Sequence, residues 1–180
     1  MRSTATISFI GAMAFVLALS APVYGTNVLG HRAGPDPSIR FNKINLGPSF
    51  TNAVDFNDVN NIEPTDISSI MYTNADASLG EVNIYDADYG NVIWQGNWSC
   101  RDWGTGNICL KGRVQFNQYW GPYPSQEAKS LACEEIGHSV GLHHSQAGTV
   151  PDQWNVSCMS QNPAEVYLSN HDETHIQAIY

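Results

Sequence analysis

Glu134-Glu135-Ile136-Gly137-His138-Ser139-Val140-Gly141-Leu142-His143-His144 gathers five acidic or imidazole side chains and two glycines into eleven residues. Residues four apart on a helix lie on the same face, one turn from each other, so a helix here stacks Glu134 beside His138. Two side chains so placed can bind one ion. Glu135 is the next residue round the helix and borders the same face, where it can hold a water rather than the ion itself. Gly141 stands where a helix can end in the left-handed conformation that glycine adopts at little cost. Beyond that turn the chain can bring back a third ligand, His144 or its neighbour His143.

The pattern on either side extends the helix and then changes period. Ala128, Leu131, Ala132, Ile136 and Val140 recur close to helical spacing, and Ser125 after Pro124 is a candidate N-cap. Upstream, residues 38–42, 81–86 and 112–117 alternate polar and apolar with a period of two, which predicts strands. Residues 91–95 are read as a further strand after a turn at Tyr89-Gly90. Residues 50–70 are ambiguous, irregular or partly helical, with Pro64 set to interrupt any longer helix. A last helix is expected over residues 171–179, capped by Ser169 or Asn170, with Ile176 and Ile179 facing inward. Strands first and helices later predict an α+β domain.

The 180 residues, 42% of them hydrophobic, suit one globular domain. Met1-Arg2, an apolar run over residues 7–19 and Val23-Tyr24-Gly25 read as a signal peptide covering residues 1–25, with the domain proper over 26–180. The apolar run falls short of the ~20 residues a membrane span requires, so no stable membrane association is expected after cleavage. Eight Lys+Arg against 17 Asp+Glu leave a net charge of -9, which argues against nucleic acid and anionic lipid as partners. Four cysteines in an exported chain suggest two disulfides, and four allow three pairings. Cys100 and Cys109 flank a glycine-containing loop that a local bridge would close.

Three features together carry a resemblance. They are Glu135-x-x-His138-x-x-Gly141-x-x-His144, Met159 within Ser157-Cys158-Met159-Ser160, and the tail from Asn170-His171-Asp172 to Ile176-Gln177-Ala178-Ile179-Tyr180. Over roughly residues 82–180 the chain resembles the matrixin-like branch of the metzincin zinc peptidases. The resemblance implies a metzincin-like α+β fold, a small mixed sheet with an active-site helix and a C-terminal helix. It further implies Zn2+ held by His138 and His144, the spacing selecting His144 over His143, with Glu135 as general base toward a metal-bound water. Met159 would form a hydrophobic floor under the zinc, and a Cys133–Cys158 bridge would tie the helix to that floor. The implied activity is that of a secreted, extracellular, monomeric endopeptidase acting on protein or peptide substrates.

The chain departs from the family at one position. Glu134 stands where the first histidine belongs. Zinc accepts carboxylate oxygen, and sets of two histidines and one glutamate exist among zinc peptidases. Glu134 is therefore either the third ligand or turned away, leaving two imidazoles. A carboxylate ligand neutralises more of the ion's charge than imidazole and acidifies bound water less. Gln161 stands where some metzincins carry an assisting tyrosine. The alternative is a secreted, non-catalytic module that keeps the fold for binding or structure.

Weaker signals are the glycosylation triplets at Asn97 and Asn155, and residues 86–91, a calcium-loop fragment better read as a solvated turn for want of the later carboxylate. The aromatics Trp94, Trp98, Trp103, Tyr119 and Trp120 are read as core or rim.

Overall fold

A computed structural model describes residues 29–144, 157–160 and 165–180. The expected signal segment, Gln161 and the Asn155 triplet's first two residues lie outside these.

The period-two runs form β2 (Ser38–Ile44), β4 (Val82–Ala87) and β6 (Ile108–Asn117), joined by β1 (Arg32–Ala33), β3 (Ser68–Thr73) and β5 (Gly96–Trp103). Strands β3, β2, β4 and β6 run parallel in that order, and the short β1 pairs with the start of β6. Strand β5 alone is antiparallel and forms the edge beside β6. The sheet is therefore mixed, with three α-helices among the described residues: α1 (Pro48–Asn57), α2 (Ser125–Ser139) and α3 (Asn170–Ile179). None of these helices is long and apolar enough to cross a membrane.

Helix α1 resolves the ambiguous stretch. Phe50, Ala53, Val54 and Asn57 are buried at helical spacing, Pro48 opens the helix, and a π turn at Asp58–Ile62 continues it to just before Pro64. It supplies the crossover that the parallel β2–β3 pair requires, so one helix precedes most of the strands.

One sheet face carries Ile39, Phe41, Val82, Ile84, Val114 and Phe116, all fully buried. Phe50 of α1 stacks on Phe116 with ring centroids 4.1 Å apart. Burial of each such side chain contributes about 1.5–3 kcal/mol. The opposite face is polar but covered. Asn42 donates to the Ala75 carbonyl at 3.1 Å and Asn83 to that of Ala77 at 3.0 Å, so residues 74–80 are fastened across it.

Buried amides then join the helices. Asn57 donates to the Lys129 carbonyl of α2 at 3.0 Å. Asn61 donates to the Val166 carbonyl and accepts from the Leu168 amide, each at 2.9 Å. Disulfides pair Cys100 with Cys109 and Cys133 with Cys158. The first ties β5 to β6, and the second ties α2 to the turn at Cys158–Ser160. Ser169 caps α3 in a capping box with Asp172. Asp172 is buried and also accepts from Ser157 Oγ at 2.5 Å, while Ser157 Oγ accepts the Met159 amide at 3.1 Å.

Two local expectations are corrected. Residues 91–95 are not a strand, and β5 begins only at Gly96. The carbonyls of Gly90 and Trp94 accept from Asn117 Nδ2, and that of Val92 accepts from Trp120 Nε1. Side chains thus take the acceptors that a strand partner would use. Ser125 is the first residue of α2 rather than its cap, because Pro124 occupies the cap position and makes no side-chain bond there. Within α3, Ile176 is fully buried and Ile179 only partly.

Asp172→Ala removes the capping box and leaves Ser157 without its acceptor. It is expected to lower stability by about 3 kcal/mol with an unchanged denaturant slope, read by chemical unfolding.

Candidate metal centre

Helix α2 lies along β5 and presents one stripe to the groove between them. Glu127, Ser130, Leu131, Glu134, Glu135 and His138 all line a cleft of about 990 Å³ whose other wall is residues 93–98. At its floor, Glu134 Oε1 lies 2.8 Å from His144 Nε2, which lies 2.9 Å from His138 Nε2. One ligand atom from each of Glu134, His138 and His144 lies within 4.8 Å of the others, so the three can hold one metal ion. Among the described residues this is the sole such group. The acidic turn at residues 86–91 forms none, since Asp86 accepts from Gly47 and Gln118, and Asp88 from Gly90.

The local fold explains the convergence. Helix periodicity stacks Glu134 on His138. Gly141 then adopts φ 102°, and a Cβ there would lie 2.7 Å from the His31 carbonyl oxygen, so only glycine fits the turn that returns His144. His143 stays exposed outside the group, and Cys133 faces away in its disulfide. His138 Nδ1 donates to the Leu142 carbonyl at 2.8 Å, which leaves the Nε2 lone pair free to ligate. Burial pushes the His138 ring down to about 4, and the neighbouring His144 adds to the effect.

Glu135 lies one position further round. It is 5% exposed, and burial, followed by the charge of Glu134, holds its carboxyl well above the usual carboxylate range. The Trp98 amide of β5 donates to this carboxyl, but Oε2 finds no partner among the described residues. A cation beside Glu134 would favour the ionised form of both acids. Two imidazole nitrogens and one carboxylate oxygen form a donor set that zinc accepts.

Glycine contacts hold α2 in place. A Cβ on Gly96 of β5 would lie 2.5 Å from Glu135 Oε1 and 2.8 Å from Leu131 Cδ1. A Cβ on Gly137 would lie 2.5 Å from the sulfur of Met159, which is fully buried. Met159 therefore packs directly beneath the residue preceding His138.

Sequence reasoning missed Gly96 and His31, and it placed Trp98 in the core or rim without its link to Glu135. Trp98 Nε1 donates to His31 Nε2 at 3.1 Å, and the Leu29 amide donates to the Gly141 carbonyl at 2.8 Å. The N-terminal segment thereby links the edge strand to the turn before His144. A two-residue strand and a glycine at a strand start carry no periodic signal. In comparisons with known proteins, the chain matches no family model and no curated protein.

Gly96→Ala is expected to displace the Glu135 carboxyl while leaving the three ligand atoms in place. Metal affinity should hold within about threefold while any Glu135-dependent activity falls at least tenfold. In chelator-treated protein, the neutral His138 ring contributes stability that is full above pH 6.5 and lost as pH falls toward about 4, because its folded pKa is depressed. Unfolding midpoints should drop across that window, and less so in His138→Ala.

Proposed function

We propose that this chain is a secreted zinc-dependent endopeptidase with a metzincin-like fold. The observation that carries the reading is the convergence of Glu134, His138 and His144 at the floor of an open cleft, beside the buried, unpartnered carboxyl oxygen of Glu135. Glu134 acts as the third ligand, and the two-histidine, one-carboxylate set is a known zinc arrangement. When bound, zinc would supply Lewis acidity, polarising a peptide carbonyl and acidifying water.

The chain's own residues do the rest. Glu135 is the general base and proton carrier, its Oε2 free to take a proton and pass it to the leaving amine. The Trp98 amide orients the other side of that carboxyl. Strand β5 has no partner on its outer side among the described residues, so an extended peptide can add to it as a further strand and cross the ligand group. Met159 and the Cys133–Cys158 bridge brace α2 from behind. Two disulfides fit an oxidising, extracellular setting.

A second reading rests on the direct contact of His144 Nε2 with Glu134 Oε1. A proton on that nitrogen closes the group without any metal, as a non-catalytic module would.

Metal analysis and peptide hydrolysis separate the two. The purified chain should carry one zinc per molecule, and zinc added to chelated protein should release protons as Glu135 ionises. Glu135→Ala should keep the metal and lose at least ~100-fold in kcat/KM, and His144→Ala should lose both. Hydrolysis that survives Glu135→Ala removes Glu135 from the role of base, and a chain that takes up no zinc is the module.

A further inference from the structure

The cleft extends beyond the ligand group toward the start of α2, and its chemistry changes on the way. Glu127 lies two helical turns before Glu134, roughly 10 Å along the axis, and lines the same cleft. The apolar lining of this cleft is made by Leu131 of the helix together with Ile93, Trp94 and Trp120. Ile93 is 103% exposed and Trp120 43%, so this apolar surface stands open to water. Trp120 is fixed as a wall, its indole N–H bonded to the Val92 carbonyl at 3.0 Å.

Among the described residues no lysine or arginine lines the cleft, whose ionisable groups are Glu127, Glu134, Glu135 and imidazoles. Glu127 enters no ion pair among the described residues. The nearest cation on the helix, Lys129, sits over the Phe56 ring at 4.2 Å. The Tyr123 hydroxyl donates to the Asn117 carbonyl and leaves Glu127 unneutralised. An acid sharing a cleft with apolar and aromatic walls matches a side chain with an aliphatic stem and a cationic head.

We infer that this end of the cleft is a subsite for a lysine or arginine side chain of a bound peptide, with Glu127 receiving the cation and Trp94 and Trp120 flanking its stem. The inference rests on the reading of the cleft as peptide-binding. It assigns the substrate class: peptides basic near the scissile bond. One residue of extended strand plus an arginine side chain spans the distance from the ligand group to Glu127. Glu127 also lies in the first turn of α2, where a carboxylate favours the helix dipole. That role alone would move thermal stability and leave side-chain selectivity untouched.

The test uses an alanine-based peptide in which each position in turn carries Arg, norleucine or Glu. Binding to the purified chain is read by tryptophan fluorescence at low salt, and cleavage is read separately. At one position Arg should bind about tenfold tighter than norleucine, an ion pair and a cation–π contact together. Glu127→Gln should bring that ratio near one, and Glu127→Lys should turn the preference toward Glu, a gain that misfolding cannot produce. Equal binding of Arg and norleucine at every position, or a preference unchanged in Glu127→Gln, overturns the subsite. Arg-selective binding without cleavage ends the peptidase reading and leaves the subsite standing. Cleavage without Arg selectivity does the reverse.

Discussion

Close approach at three glycines is the constraint on which the arrangement depends. Gly96 admits Glu135 and Leu131 against the edge strand, Gly137 admits the Met159 sulfur from the other side, and Gly141 admits the His31 carbonyl at the helix end. Helix α2 is gripped between a strand, a turn and the N-terminal segment, each at a point where no side chain intervenes. A helix so held has no room to rotate. Its ligand-bearing stripe must face the cleft, and Glu135 must be buried rather than solvated. The shifted protonation of Glu135 and the dry back of the group follow from backbone spacing rather than from any special residue in the cleft.

The electrostatics share that origin. Glu134 and Glu135 are adjacent acids brought out of water together, and burial of the second raises its proton affinity. His138 is pushed the other way, toward the neutral ring that is able to ligate. The Leu142 carbonyl, freed by the turn at Gly141, takes the proton of His138 Nδ1. One glycine turn therefore serves twice. It returns His144 to the group and selects the tautomer of His138.

Much of this was legible in the chain. Helical spacing put Glu134 over His138, and alternation located β2, β4 and β6 because one face of each strand is apolar and the other polar. Elements without such contrast were harder to read. The stretch from Pro48 to Ile62 buries Asn57 and Asn61 as well as apolar residues, so its helical period is disguised by polar side chains that bond across to α2 and residues 166–168. Residues 91–95 alternate like a strand, yet their carbonyls are taken by Asn117 and Trp120, far along the chain. The links from His31 to Trp98 and from Leu29 to Gly141 join segments more than sixty residues apart and leave no local trace.

The support of the ligand group comes from outside its own helix. Helix α2 sets Glu134 and His138 in helical register by itself, but the Met159 turn beneath it hangs from Ser157, and Ser157 is held by Asp172. That acid, with its capping partner Ser169, lies in the final dozen residues of the chain. The floor under the helix therefore depends on α3, an element that contributes no residue to the cleft. A disturbance of α3 reaches the centre of the molecule from outside the cleft, through Asp172, Ser157 and the Met159 turn.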